Sequence, residues 1–287
     1  MKLLFILMMG VINTLICQDN THISEMNITV QNVNIFSKSS GEGTPILFLH
    51  GVPDTHDIWN PIVAELESNY RCITPDWPGF GQSDSGETID CSLDGHADFV
   101  NDLADALGLT EPFYLVAHDF GGISAMAFAS KYPDRVRRLV ISNAPFSPDY
   151  NWHFMAKIWK TPLLGEFSML TMNSIAFSIS MQQGSEKLSK AHIKEMYSQL
   201  SSNMRKMILK MYRGMPEDSF KDWQPKFLIA TSQIPTLILW GEKDPYLPTW
   251  LAKSYGAEEV KYYPDSGHWA PAEEPTAFTQ DLKRFLK

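Results

Sequence analysis

An α/β architecture, with a mostly parallel eight-stranded sheet flanked by helices, is predicted by three features of this 287-residue chain. Short apolar runs recur along it and alternate with stretches long enough to be helices. Reactive side chains stand just past the ends of several of those runs, where open α/β sheets bind their ligands. The chain is also long enough, and at 44% hydrophobic residues apolar enough, to bury one large core. No internal repeat, low-complexity tract or charge block interrupts the pattern.

Taken in order, strand-like 27–30 and 33–36 open the sheet as a hairpin. The sheet continues through apolar runs near 46–49, 70–74, 113–116, 138–142, 236–240 and 260–263. Helical stretches fall near 59–67, 94–107, 121–131, 249–255 and 273–286. The strand pattern lapses over 146–231, which reads as several helices with breaks at Pro162, Gly184 and Pro216. This gives a sheet domain of 18–145 and 232–287 interrupted by a helical insertion. Nine of the 14 methionines lie in the insertion, between Met155 and Met215. Some of these are ordinary core, but an unbranched, polarizable side chain also suits a pocket for irregular apolar ligands.

The stretch Ala117-His118-Asp119-Phe120-Gly121-Gly122 lies between the buried run at 113–116 and a helix. Strand, tight turn and helix make a nucleophile elbow. Small residues at 117 and 121 allow the sharp turn that lifts the side chain at 119 above the sheet. That side chain is a carboxylate. A carboxylate suits attack on a saturated carbon, giving an alkyl ester of the enzyme that water must later cleave. After the run at 46–49 comes His50-Gly51-Val52-Pro53, where glycine leaves room for the Val52 N–H to point at the nucleophile. The Phe120 N–H is the second expected donor of an oxyanion hole. Asp244 follows the run at 236–240, and Ser266-Gly267-His268-Trp269 follows the last one.

The order nucleophile, acid, histidine, here Asp119, Asp244 and His268, resembles that of the α/β-hydrolase family. The block Asp76-Trp77-Pro78-Gly79-Phe80-Gly81-Gln82-Ser83 is similar to that family's loop after its fourth strand, and the likeness covers nearly all of the chain after residue 17. The Asp nucleophile resembles the epoxide hydrolases and the haloalkane and haloacetate dehalogenases rather than lipases or esterases. The resemblance implies an α/β-hydrolase fold with a helical cap over 146–231. It also implies a two-step displacement on a small apolar organic substrate, with water as second reactant and neither cofactor nor metal. His268, oriented by Asp244, would activate the water. Glu242 is the rival acid, but its place in the turn fits a solvated residue. His50 and His118 read as structural, and Asn143, after the run at 138–142, cannot act as a charged acid.

The leaving group separates the candidate reactions, since its developing charge needs a donor. Haloalkane dehalogenases usually carry a Trp after the nucleophile and often an Asn in the His-Gly loop. Here those positions hold Phe120 and Val52, which have no side-chain donor. Haloacetate dehalogenases often place an Arg where Phe120 stands. Epoxide hydrolases use cap tyrosines, and the insertion offers Tyr150, Tyr197 and Tyr212, with Tyr212-Arg213 resembling the second of the pair. Trp152 and His153 are further donors. Epoxide hydrolysis is therefore the first expectation, a dehalogenase the second, and a ligand-binding member of the fold that turns over slowly or not at all the third.

Residues 1–17 read as a secretory leader, with Lys2 before an apolar run and Gln18-Asp19-Asn20 after it. The run is too short for a convincing membrane span; a buried N-terminal strand and a lipidated Cys17 are the alternatives. An exported protein with a mature N-terminus near Gln18 is expected. The net charge is −9, and loss of Lys2 makes it one more negative, which disfavours nucleic acid or an anionic membrane as partner. Cys72 and Cys91 could pair in an exported protein, although Cys72 sits in an apolar run as a small hydrophobe would.

Overall fold

The computed structural model describes residues 23–287; the leader and Cys17 lie outside them. The eight expected strands form one sheet: β1 (Ser24–Val30), β2 (Val33–Ser40), β3 (Thr44–Leu49), β4 (Tyr70–Pro75), β5 (Phe113–His118), β6 (Val136–Ser142), β7 (Thr236–Gly241) and β8 (Glu259–Tyr263). Their spatial order is β1-β2-β4-β3-β5-β6-β7-β8. β1 and β2 are an antiparallel hairpin, and β2 meets β4 antiparallel. All later pairings are parallel. The hairpin turn holds Gln31 and Asn32 at φ of 47° and 64°, the doubly left-handed geometry whose twist matches the flanking strands.

All six residues of β5 and of β7 are buried, so helices cover both faces of the sheet there, as parallel strands require. The edge strand β1 instead alternates exposed and part-buried residues. Around the sheet, α1 (Asn60–Leu66) packs against α12 (Pro275–Phe285), while α2 (Leu93–Ala106) and α3 (Phe120–Lys131) pack together. The closing helix lies within the expected 273–286 and is preceded by a short one that the sequence did not single out. A short α11 (Ala270–Glu273) ends where Glu274 leaves helical geometry at φ −128°, ψ 48°, and α12 begins at Pro275, which removes the N–H that would continue the first helix. The stretch expected near 249–255 is only the short α10 (Trp250–Lys253).

Between β6 and β7 lie six helices: α4 (Phe154–Lys160), α5 (Leu164–Thr171), α6 (Ser174–Gly184), α7 (Lys190–Gln199), α8 (Ser202–Arg213) and α9 (Gln224–Thr231). α9 belongs with the core, packing against α3. Chain order reverses at β3: β4 lies on one side of it and β5 on the other. A crevice opens at such a reversal, beyond the carboxyl ends of the strands. The loops after β3 and β5 both enter it.

Cys72 and Cys91 are both free and buried. Burial pushes their thiols up, to about 12 and about 11, so neither is reactive near neutral pH. Among the described residues no helix is long and apolar enough to cross a membrane, and no cluster of His, Cys, Asp or Glu could hold a metal ion.

Candidate active site

Asp119 stands between β5 and α3 with φ 50° and ψ −122°. A non-glycine residue held there costs about 1–3 kcal/mol, which neighbouring structure must sustain. Two glycines make the close approach possible. A Cβ on Gly51 would lie 2.4 Å from Asp119 Cβ, and one on Gly121 would lie 2.3 Å from the Leu49 carbonyl oxygen. The carboxylate therefore sits against the His50-Gly51 loop and at the N-terminus of α3, where the helix dipole favours a negative charge.

The Val52 N–H donates to Asp119 Oδ1 at 2.8 Å, and His268 Nε2 lies 3.4 Å from Oδ2. On its other side, His268 Nδ1 donates to Asp244 Oδ2 at 2.7 Å. The three residues expected to work together are thus brought into one chain of contacts. Val52 is the one backbone donor to the carboxylate among the described residues; the Phe120 N–H is not bonded to it, and Phe120 contributes its ring to the cavity wall instead.

Asp244 is surrounded by donors. Its Oδ1 accepts from the Tyr246 and Leu247 N–H groups at 2.8 and 3.0 Å, and its Oδ2 also accepts from Asn143 Nδ2 at 2.8 Å. Asn143 is itself fixed by the Gly241 N–H, which donates to its Oδ1 at 3.0 Å. With three donors already on the carboxylate, His268 Nδ1 must carry the proton of the fourth bond. The clamp by Asn143 is a role that reading the sequence missed. Its one available signal was an amide side chain ending β6, the strand beside β7. Glu242 is exposed in the turn and does not reach His268.

Other bonds hold the histidine loop. Glu273 accepts from the Gly267 and Trp269 N–H groups at 2.8 and 3.0 Å, and Asp54 accepts from the Trp269 indole at 2.8 Å. His50 is satisfied on both ring nitrogens and His118 on one, its buried Nε2 having no partner. His50 Nε2 accepts from the Trp77 N–H, which leaves Nδ1 to donate to the Gly51 carbonyl. His118 Nδ1 pairs with the Ser142 carbonyl. Burial lowers both, His118 to about 4, so they stay neutral.

The charge state of His268 follows from its two carboxylates. Burial alone would lower it, but Asp244 and Asp119 outweigh burial and hold it up at about 10. Burial likewise opposes ionisation of Asp119, yet the bond and charge of His268 hold its carboxyl below the usual range. At neutral pH the resting pair is imidazolium and carboxylate. Forming a neutral ester at Asp119 would remove one of the two anions and lower His268 towards the range of a working base. Asp119→Asn mimics that neutral state. Its His268 titration midpoint, followed by NMR, should fall well below the value of about 10 in the wild type. An unmoved midpoint would show that Asp119 does not set the histidine's charge. The raised His268 stabilises the fold fully below the ordinary value of 6.5, and that contribution fades as pH climbs towards 10.

Four of the five donors that the insertion offers line the same cavity as Asp119 and His268: Tyr150, Trp152, His153 and Tyr212. Tyr197 does not. It packs on Phe177 with ring centroids 5.5 Å apart. Tyr246, which the sequence did not single out, joins the cavity through its place two residues after Asp244. Tyr212 stands over the residue after Asp119, its ring 4.7 Å from that of Phe120. Burial, and then the charge of Asp119, raise its hydroxyl well above its ordinary value, so it keeps its proton. Tyr150 spends its hydroxyl on the Tyr246 carbonyl at 3.3 Å.

His153 decides where the Tyr212 proton points. The Ala156 N–H donates to His153 Nδ1 at 3.3 Å, and burial lowers the ring to about 4. A neutral ring with Nδ1 accepting carries its proton on Nε2. Nε2 lies 3.5 Å from Tyr212 Oη, so the tyrosine accepts there and its own proton is free for the cavity. The indole N–H groups of Trp152 and Trp159 are buried without partners, and both rings line the cavity.

Fold and site together define a class. The chain belongs to the α/β hydrolase fold family, whose family model matches residues 44–275, and it is an enzyme of the hydrolase type. It is 27% identical over 268 residues to epoxide hydrolase 3 of Mus musculus, covering 88% of this chain and 72% of the relative. It is 28% identical over 267 residues to a cis-3-alkyl-4-alkyloxetan-2-one decarboxylase of Shewanella oneidensis, covering 86% and 83%. Haloalkane dehalogenase 2 of Mycobacterium bovis matches at 27% over 221 residues, 71% of this chain and 72% of the relative. In fold, it is similar to the crystal structure of Cfl2 from Burkholderia cenocepacia, with a TM-score of 0.77, 24% identity and coverage of 92% and 95%.

Proposed function

We propose that the protein hydrolyses epoxides to diols through an alkyl ester on Asp119. The observation that carries the reading is the pairing, across one cavity, of a carboxylate at the elbow with a tyrosine whose proton is free. The likeness to an epoxide hydrolase supports it.

In this reading the two carboxylate oxygens have different tasks. Oδ1, held by the Val52 N–H, stays as the ester carbonyl oxygen, and Oδ2 attacks the ring carbon. The C–O bond of the ring breaks, and the oxygen takes a proton from Tyr212. His268, no longer facing an anionic Asp119, returns its resting proton to the Tyr212 phenolate and, now neutral, takes a proton from water. The hydroxide attacks the ester carbonyl carbon, and negative charge develops on Oδ1. A donor aimed at that oxygen is worth about 3–4 kcal/mol. Collapse breaks the ester C–O bond, the departing alkoxide takes the proton of the added hydroxyl, and the diol leaves Asp119 as carboxylate and His268 as imidazolium.

One observation favours a dehalogenase as second reading. The unpartnered indole N–H groups of Trp152 and Trp159 are donors of the kind a departing halide needs, and a halide needs no proton. Incubation with panels of epoxides, haloalkanes and p-nitrophenyl esters, scored for diol, halide and nitrophenol, separates the readings. Diol is expected. Halide alone would transfer the leaving-group role to the indoles, nitrophenol alone would remove the sp³-carbon chemistry, and no product from any panel would favour a binding protein.

A further inference from the structure

The active-site cavity is only about 40 Å³, room for about three water molecules at roughly 10–15 Å³ each. Beside it lies a surface groove of about 650 Å³ along α4 and α6. Phe154, Met172, Ala176 and Ile179 make the groove apolar. His153, Met155, Ser180 and Tyr246 line both the groove and the cavity, so a single layer of side chains separates them. Met155 is the flexible member of that layer, an unbranched chain that can turn aside.

The segment that contains α6 is almost free of charge on a chain of net charge −9. Residues 161–183 contain one charged side chain, Glu166, and Arg213 neutralises it at 2.6 Å. Of the large apolar side chains that stand exposed, Phe154 at 75% and Ile179 at 53% line the groove. Exposed apolar side chains lining a groove mark a binding site, and the groove's shared wall with the cavity indicates what binds. We infer that the groove holds the long unbranched alkyl chain of the substrate, with the reactive carbon beyond the partition at Asp119. A second copy of the protein would also cover this face, but its seat would have no reason to share a wall with the nucleophile's cavity. The alkyl occupant fits the lining, which offers no charge to bind or orient a polar group. Each fully buried methylene strengthens binding about fourfold, and an open groove that covers half of each should give about twofold.

The inference takes its reactive head group from the epoxide reading, whereas the chain site can be tested without it. Calorimetry with the unreactive 1-decanol and 1-butanol should show the longer alcohol binding at least tenfold more tightly. Ala176→Trp fills the groove from an exposed position on α6 and should abolish most of that difference; Ile179→Asp should do the same through its charge. A decanol carrying a terminal diazirine should label the peptide containing Ala176 and Ile179. The ratio of kcat/KM for 1,2-epoxydecane over 1,2-epoxybutane should fall at least tenfold in Ala176→Trp. Equal binding of the two alcohols, labelling elsewhere, or an unaffected Ala176→Trp would overturn the chain site. Sedimentation showing a wild-type dimer that both variants dissociate would give the groove to a second copy. Intact alcohol preference with no diol from any epoxide would keep the chain site and retire the epoxide reading.

Discussion

His268→Gln is expected to be alkylated by an epoxide and then to stall, leaving a stable ester on Asp119. The first step needs only the carboxylate, its Val52 donor and a proton for the ring oxygen. The second needs a base, and loss of a general base costs about 10²–10⁴-fold. Glutamine keeps a polar side chain near Asp244 Oδ2, which His268 Nδ1 occupies at 2.7 Å, but it cannot take a proton from water. Mass spectrometry should place the adduct on the peptide carrying Asp119. An adduct on Ser124, or none, would sink the assignment. Ser124 is a poor rival because its hydroxyl is buried and engaged by His96 Nδ1 and the Phe120 carbonyl. Asp119→Ala should abolish turnover outright. The nucleophile is itself only 8% exposed, more enclosed than an elbow side chain lifted above a bare sheet would be, so retention of fold in that variant should be checked by thermal unfolding.

Tyr212→Phe should slow alkylation of Asp119 by an epoxide about 10²-fold or more, the usual scale for losing a general acid. The substitution keeps the ring that packs 4.7 Å from Phe120 and 5.6 Å from Trp152 and removes only the hydroxyl. Opening an epoxide leaves an alkoxide, far more basic than bromide, so attack on a bromoalkane should change little. Hydrolysis of a preformed ester should also be nearly unaffected. Equal losses on epoxide and bromide would mean that Tyr212 merely shapes the cavity. No loss on either would move the donor role to Trp152, His153 or Tyr150, of which Tyr150 is the least free because its hydroxyl already donates to Tyr246. His153→Ala should show a smaller loss in the same direction, by releasing the tyrosine proton to other acceptors.

Much of the site is legible without coordinates because its demands are local. A carboxylate on a tight strand-to-helix turn needs small neighbours, and Gly121 stands two residues beyond it. A backbone N–H that approaches a side chain closely needs glycine, and Gly51 precedes Val52. Both needs are written within a few residues of the groups they serve. Eight short apolar runs likewise announce eight strands, since parallel strands buried on both faces carry little but apolar side chains. The short α11 before the closing helix was not legible, because four residues carry too little periodicity to announce a helix.

The sequence by itself determined the α/β sheet, the order Asp119, Asp244, His268, and the helical character of the segment between β6 and β7. Each depends on periodicity or on residues adjacent in the chain. Only the tertiary structure decided which of the distant donors share a cavity with Asp119. Tyr212 and His153 do, from α8 and from the cap of α4, while Tyr197 on α7 packs on Phe177. The structure also decided that Asn143 clamps Asp244, that the Phe120 N–H stands apart from the carboxylate, and that a groove shares a wall with the cavity. The physical reason is that helix packing angles and side-chain rotamers set these meetings. A helix with suitable faces can present any of several side chains to a cavity, and the choice falls on whichever arrangement fills the space at native density.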